Sequence, residues 1–162
     1  MPYRFSHIAT LVAILGLSAG ATYAEDDHPH LSPGDEAYSA ERYEEAAALY
    51  RKDAELGVVA AQVNLAFLYL DGLGVAQSDK EAAHWFQRAA EFGNAEAQQN
   101  IGLFYQQGKG VAQDLVEAYK WYKLADAKDS TVVEKQLTAE QLAEANKRAD
   151  TWREAHKKPA KR

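Results

Sequence analysis

A repeat of 36 residues constrains the fold of this chain more than any other feature of its sequence. Residues 61–69 (Ala-Gln-Val-Asn-Leu-Ala-Phe-Leu-Tyr) align with residues 97–105 (Ala-Gln-Gln-Asn-Ile-Gly-Leu-Phe-Tyr). The same offset relates later positions: Gly72 to Gly108, Gly74 to Gly110, Ala82 to Ala118, Trp85 to Trp121 and Ala89 to Ala125. A shortened forerunner precedes the two full units at residues 35–57. Because one unit of this size buries its apolar face only against its neighbours, the period predicts a stacked array.

Each full unit is predicted to fold into two helices. The first helix ends at Gly72 or Gly108, because glycine is suited to the left-handed conformation at a helix C-terminus. The second helix begins at Ser78 or Asp114, since a glutamate follows each of them three residues later in the pattern of a capping box. Aromatic residues at helical spacing are assigned to the core: Tyr69, Trp85, Tyr105 and Trp121. The chain is therefore predicted to be all-α.

The two full units resemble the Sel1-like repeat, a relative of the tetratricopeptide repeat. Three motifs carry the resemblance: Ala-Gln-x-Asn-Leu-x-x-x-Tyr, Gly-x-Gly-Val-x-Gln and Ala-x-x-Trp-aromatic-x-x-Ala. The resemblance implies an α/α superhelix, or solenoid, over residues 35–129. Its units are a short first one at 35–58 and full repeats at 59–94 and 95–129.

The region after the repeats resembles the closing helix of the same family. We expect a capping-helix region at residues 130–156, in which Thr138 and Gln141 form a capping box at the helix N-terminus. Asp129 stands where Gly93 stands one unit earlier. This departure predicts that the array frays or changes direction near Asp129.

The resemblance implies an adaptor or regulatory protein that holds another protein, with no catalytic residue to carry over. In such superhelices the first helix of each unit lines the concave side, so its positions that are free of packing are candidate contacts. These are Asp35, Tyr38, Ser39, Val63, Phe67, Leu70, Asp71, Gln99, Leu103, Gln106 and Gln107. An exposed apolar strip is typical of a binding groove, and we expect Phe67 and Leu103 to be its anchors, with the three glutamines as hydrogen-bonding groups. With the register displaced by one residue, the same apolar side chains would belong to the core, so both interpretations stay open.

A secretory signal peptide is predicted at residues 1–24. Arg4 is its only charged residue, and residues 8–17 form an apolar run. A membrane-spanning helix needs about 20 apolar residues, so the run is too short to span, although an uncleaved N-terminal anchor is the alternative. Cleavage after Ala24 or Ala21 would leave a periplasmic or secreted protein with no stable membrane insertion.

Composition excludes several classes of function. The chain contains no Cys, which excludes a disulfide scaffold, a thiolate zinc site and a Cys nucleophile. Its formal net charge of −6 argues against nucleic-acid binding, which needs a basic face. The glycine pairs that begin at Gly72 and Gly108 lack the remaining residues of a phosphate-binding loop. Residues 26–30 are the one cluster of metal-ligand types, and they lie in a predicted linker at residues 25–34. Neither a metal nor a cofactor is therefore predicted.

The C-terminal residues reverse the charge of the rest of the chain. Residues 147–162 hold seven basic and two acidic residues, whereas residues 25–146 hold ten basic and 22 acidic residues. Residues 157–162 are predicted to form a basic tail beyond the capping helix.

We therefore expect a non-enzymatic interaction module of the cell envelope that binds a peptide or helix of another envelope protein and is a monomer or weak homodimer. Because a short array offers a small concave surface, modest affinity is predicted. One alternative is an envelope enzyme acting on cell-wall or β-lactam substrates, an activity of cysteine-rich relatives that the absence of Cys disfavours. The other is a structural protein that associates with itself through its acidic body and basic tail.

Overall fold

Eight helices joined by short turns make up residues 31–157, which are the residues that the computed structural model describes. The helices are α1 (Pro33–Ser39), α2 (Tyr43–Glu55), α3 (Val59–Asp71), α4 (Asp79–Glu91), α5 (Ala95–Gln107), α6 (Leu115–Leu124), α7 (Ser130–Glu134) and α8 (Ala139–Ala155). The predicted signal peptide, residues 25–30 of the predicted linker and residues 158–162 of the predicted tail lie outside the described residues.

The helices form hairpin pairs that stack in chain order. α1 packs on α2, α3 on α4 and α5 on α6, while α2 and α4 also contact the first helix of the next pair. A hydrogen bond from Asn64 Nδ2 to Asp35 Oδ1, 3.2 Å long, joins α3 directly to α1. The first helices therefore form one layer and the second helices another. This arrangement confirms the predicted all-α solenoid of helix pairs.

Local sequence signals set the ends of these helices. Gly72 and Gly108 follow α3 and α5 with φ angles of 68° and 67°, in the left-handed conformation that was predicted for them. Ser78, Asp114 and Thr138 each accept a hydrogen bond from the backbone N–H three residues later. Such caps satisfy N–H groups that have no partner within their own helix, so they fix where α4, α6 and α8 begin.

The turn inside each full repeat interlocks with the preceding pair. Gly74 and Gly110 lie in these turns with φ angles of 67° and 69°. A Cβ atom at Gly74 would lie 2.1 Å from the carbonyl oxygen of Tyr43, and one at Gly110 would lie 2.2 Å from that of Asp79. Tyr43 and Asp79 are the first residues of α2 and α4, so each turn packs backbone against backbone on the preceding second helix. Only glycine fits such an approach, which explains why this position recurs.

An aromatic column fills the space between the two layers. Phe86 on α4 is fully buried, and its ring meets Phe67 and Phe104 edge to face, with centroids 5.1 and 5.8 Å apart. Trp85 and Trp121 are buried, as predicted. The remaining predicted aromatic core residues, Tyr69 and Tyr105, are partly buried at its edge.

Two buried glutamines tie successive pairs together. Gln62 and Gln98 are almost completely buried, at equivalent positions of α3 and α5. Each donates a hydrogen bond from Nε2, of 3.1 and 3.2 Å, to a carbonyl near the C-terminal end of the preceding second helix, at Ala54 and Ala90 respectively. The carbonyls of Ala54 and Ala90 also accept the backbone N–H of Gly57 and Gly93 in the turns, so each glutamine adds a second hydrogen bond, one that joins two pairs. These glutamines therefore serve the fold.

Both ends of the array depart from the regular repeat. α1 begins at Pro33, inside the range that was predicted as linker, because Ser32 and Asp35 form a capping box there. At the other end α6 has 10 residues where α4 has 13, and Asp126 follows it with a φ of 54°. The chain then turns into α7 and α8, which pack on α6. The regular repeat therefore ends with α6, close to Asp129, where the sequence departs from the repeat.

Candidate protein-binding face

The solvent side of α1, α3 and α5 carries the predicted contact residues, and we call it the A face. Nine of the eleven predicted residues fall into three rows across the helices: Asp35, Phe67 and Leu103; Tyr38, Leu70 and Gln106; Ser39, Asp71 and Gln107. Within each helix they are spaced by three and four residues, which places them on one side. The other two predicted residues, Val63 and Gln99, occupy equivalent positions of α3 and α5. The offset from α1 to α3 is 32 residues, because the turn after α1 spans residues 40–42 whereas the turn after α3 spans residues 72–78.

The apolar members of the A face differ in exposure. Tyr38 is 43% exposed and Leu103 is 39% exposed, so both offer carbon surface to solvent. Phe67 and Leu70 are partly buried and pack against the core, Phe67 through its contact with Phe86. Leu103 and Tyr38 are therefore the available anchors, and Phe67 presents only part of its ring.

Val63 is the one predicted contact that the structure places in the core. Its exposed fraction is 5%. The prediction was wrong for this residue because helical spacing alone does not distinguish the open side of a first helix from the side that packs within the stack. Its equivalent in the next repeat, Gln99, is exposed.

Some polar side chains of the A face form hydrogen bonds within the protein. Gln106 Oε1 accepts a hydrogen bond of 2.8 Å from the Tyr122 hydroxyl. Gln99 Nε2 donates one of 3.2 Å to Asp129 Oδ2. Gln107 and Asp71 are exposed at the C-terminal ends of their helices. Two of the three predicted hydrogen-bonding glutamines therefore contribute to the fold as well as to the surface.

Asp35 is a fixed negative charge at the α1 end of the A face. Its Oδ1 accepts hydrogen bonds from the Tyr50 hydroxyl (2.7 Å) and from Asn64, and its Oδ2 accepts from Ser32. Burial acts to raise the pKa of Asp35, but the hydrogen bonds from Tyr50 and Ser32 outweigh burial and lower the pKa below its ordinary value. Burial, followed by the bond to Asp35, raises the pKa of Tyr50. The pair therefore stays as carboxylate and neutral phenol.

A second set of exposed apolar residues was not predicted. Leu56 and Phe92, 36 residues apart, are 76% and 66% exposed at the turns that lead from α2 to α3 and from α4 to α5. We call this pair the turn edge. An apolar residue directly before Gly57 and before Gly93 is its sequence signal. It lies at the opposite end of the first helices from Asp71 and Gln107, and it provides a matched comparison surface for the A face.

A cleft of about 390 Å³ lies between α6 and α8. Glu117 forms ion pairs with Arg148 (2.6 Å) and Lys120 (2.5 Å), and Arg148 also donates a hydrogen bond to Glu144. Trp152 closes one side, with its ring centroid 6.5 Å from that of Trp121. Because the ion pair of Glu117 with Arg148 joins α6 to α8, it helps to hold the closing helix in place.

Within residues 31–157 no three His, Cys, Asp or Glu side chains are placed to hold a metal ion. His84 is exposed on α4, where its ring contacts Trp85. No helix in the same range is long and apolar enough to span a membrane.

Comparison with known families identifies the repeat unit. The family model described as the Sel1 repeat matches residues 59–94 and 95–125. No curated protein matches the chain.

Two solved structures extend the comparison to most of the chain. A protective antigen of uropathogenic Escherichia coli strains, which displays an SLR fold, is 32% identical with a TM-score of 0.69 over 75% of this chain. A Sel1 repeat protein from Oxalobacter formigenes is 31% identical with a TM-score of 0.53 over 74% of this chain. The chain spans 28% and 52% of the length of these two proteins, respectively.

Proposed function

Because this chain contains two Sel1 repeats, and Sel1 repeats generally mediate protein–protein interaction, we propose that it is a non-enzymatic interaction module of the cell envelope. It binds a peptide or helix of a partner protein on the A face. The observation that carries the proposal is the exposure of Leu103 and Tyr38 on the outer helices of that face, with Phe67 and Leu70 between them. This surface does not pack against a neighbouring repeat, so its apolar side chains are removed from water only when a partner binds over them.

The size of the A face sets the expected mode of binding. Neighbouring helices pack about 8–10 Å apart, so three first helices span roughly 20 Å. An extended segment of about six residues covers that distance at about 3.3 Å per residue. A contact this short buries little area, and the interaction is accordingly expected to be weak unless the partner binds through several sites.

The test is affinity capture from envelope extract with two matched variants. Leu103→Glu places a charge on the A face, whereas Phe92→Glu makes the same change of polarity and charge on the turn edge. Both residues are exposed, so each variant should keep the helical content and thermal stability of the native protein. We expect one partner protein to be held by the native protein and by Phe92→Glu and lost by Leu103→Glu.

The other outcomes contradict the proposal. Loss of the partner with Phe92→Glu alone would assign binding to the turn edge. Retention by both variants would exclude each apolar surface, and the self-association alternative would then be measured by sedimentation at low and high salt.

Export is a separate part of the proposal. The apolar run at residues 8–17 and the small residues after it favour cleavage of a signal peptide. N-terminal sequencing of the protein from a fractionated bacterial host should begin at Glu25 or at Thr22 in the periplasmic or secreted fraction. An intact N-terminus in the membrane fraction would favour the anchored alternative.

A further inference from the structure

The three first helices contain no cationic residue. α1, α3 and α5 carry four carboxylates, at Asp35, Glu36, Asp71 and Glu96, and no Lys, Arg or His. Each of the second helices α2, α4 and α6 carries two cationic residues, Lys and Arg in α2 and α4 and two Lys in α6. The layer that bears the A face is therefore purely anionic, although the layer behind it is mixed.

The distribution of charge along the stack reinforces this asymmetry. Residues 31–107, which include all three first helices, hold twelve acidic and five basic residues. Residues 108–157 hold nine of each. The whole acidic excess of the described residues thus lies in the part of the stack that contains the A face, where it produces a negative potential that extends about one Debye length, or roughly 8 Å, into solvent.

Carboxylates also lie beside the apolar anchors. Asp35 lies one helical turn from Tyr38 on α1, and Asp71 follows Leu70 at the end of α3. Asp129 lies within hydrogen-bonding distance of Gln99, which is one turn from Leu103 on α5. Asp35 stays ionised because the hydrogen bonds from Tyr50 and Ser32 hold its carboxylate. A ligand on this face meets apolar surface between negative charges and no positive charge from the first helices.

From this charge complementarity we propose that the segment bound on the A face is amphipathic and cationic, with Lys or Arg residues spaced between apolar anchors. The inference rests on the proposed function of the A face and specifies the chemistry of its partner. Lysine and arginine suit the site because their carbon chains cover apolar surface while their charged ends reach neighbouring carboxylates. An acidic segment would place like charges together and lose affinity.

The experiment measures fluorescence anisotropy of three labelled synthetic peptides of about twelve residues with the full-length protein. The peptides alternate Leu with Lys, Leu with Glu, and Ser with Lys. We expect the Leu–Lys peptide to bind at least tenfold more tightly than either of the others, because only it combines apolar and cationic groups. Its affinity should fall as salt concentration rises.

Two pairs of variants locate the binding. Asp71→Lys and Glu55→Lys change the net charge equally at the C-terminal residue of α3 and of α2, but only Asp71 lies on the A face. Asp71→Lys should weaken Leu–Lys binding about three- to tenfold, as expected for reversing one exposed ion pair, and Glu55→Lys less than twofold. Leu103→Ala should weaken it more than Phe92→Ala does.

The outcomes separate this inference from the function on which it rests. If the Leu–Glu peptide binds as tightly as the Leu–Lys peptide and Leu103→Ala weakens both, the A face binds peptides but the cationic partner is excluded. Equal effects of Asp71→Lys and Glu55→Lys would mean that net charge alone attracts the peptide, which also overturns the inference. If no peptide responds to Leu103→Ala, both the inference and the proposed function of the A face fail.

Discussion

The interlocking of repeats through glycine can be tested with two alanine substitutions that differ in one physical respect. Gly110 and Gly57 both have positive φ angles, 69° and 89°. A Cβ atom at Gly57 would have no heavy atom within 4 Å, whereas one at Gly110 would lie 2.2 Å from the carbonyl oxygen of Asp79 and 2.5 Å from its carbon. Gly57→Ala therefore measures the cost of the backbone conformation alone, and Gly110→Ala adds a clash to it.

The expected magnitudes follow from these distances. A left-handed conformation costs a residue with a side chain about 1–2 kcal/mol, and this cost applies to both variants. At Gly110 the turn must also retreat by roughly 1 Å from the start of α4, because no side-chain rotation relieves a contact with backbone; overpacking of this kind costs about 1–3 kcal/mol. The free energy of unfolding should therefore fall by about 1–2 kcal/mol in Gly57→Ala and by about 2–5 kcal/mol in Gly110→Ala.

Urea unfolding followed by far-UV circular dichroism separates the two variants. With a slope of about 1–3 kcal/mol per molar urea, a difference of 2 kcal/mol corresponds to a midpoint difference of about 1 M. Gly74→Ala repeats the measurement one repeat earlier, where the clash is with Tyr43, and should resemble Gly110→Ala. If the free energies of unfolding of Gly110→Ala and Gly57→Ala agree within about 0.5 kcal/mol, the turn moves away from α4 without an energetic cost. The close approach of backbone would then not be the reason for the repeated glycine.

Three further substitutions test the site and the closing helix. Asp35→Asn should lower the free energy of unfolding by about 1–2 kcal/mol near neutral pH through loss of charge-assisted hydrogen bonds. Folding lowers the pKa of Asp35, so the unfolded chain binds the proton more readily than the folded one. In urea titrations from about pH 7 to about pH 3, the difference in free energy of unfolding between the native protein and the variant should therefore shrink below the ordinary pKa of 3.8. Phe67→Glu should lower the free energy of unfolding by about 2–4 kcal/mol, because it places a charge against the core, whereas Leu103→Glu should lower it by less than about 1 kcal/mol. Equal midpoints of the two variants in thermal unfolding would show that the two positions are equally exposed. Trp152→Ala should cost about 3 kcal/mol and shift the emission of Trp121, whose ring Trp152 contacts, to longer wavelength. The exposed neighbour variant Thr151→Ala should change neither the stability nor the emission.

The sequence was sufficient to predict the helices that local signals define. Gly72, Ser78 and Thr138 act within one turn of their own helix, so the residue types that end or begin a helix can be recognised without knowledge of the neighbours. Because each signal occurs twice, one period apart, the bounds of α3 and α5 and the first residues of α4 and α6 agree with the repeat. Interlocking of the Gly74 turn with Tyr43 could not be predicted, because it depends on how far one pair is rotated against the next.

The contact residues of the A face were predicted less completely, because one side of a first helix carries both core residues and surface residues. Val63 and Leu103 both fit an apolar strip on the first helices, but Val63 is 5% exposed and Leu103 is 39% exposed. The difference depends on what the rest of the stack covers, and helical spacing within one helix does not report it. Three-dimensional structure is therefore needed to divide such a strip into core and surface.

In each pair, one aromatic residue of the second helix faces the first helix and connects the core with the A face. Tyr50 and Tyr122 lie against Gly34 and Gly102, where a Cβ atom would approach their rings to 2.5 and 2.9 Å. Their hydroxyls donate to Asp35 and Gln106, so in the outer pairs polar residues of the A face are required for the fold.

The middle pair is built differently. It has Ala66 in place of the glycine and Phe86 in place of the tyrosine, and a phenylalanine ring has no hydroxyl that needs an acceptor. Phe67 and Leu70 are apolar at the rows where the outer pairs carry those acceptors. The apolar centre of the A face, with polar and charged groups on either side, thus follows from which aromatic residue each second helix places in the core. Phe86→Tyr would add a buried hydroxyl that lacks this acceptor, and it should destabilise the protein by about 1–3 kcal/mol unless Phe67 is replaced by Asp at the same time; urea unfolding of the single and double variants measures that coupling.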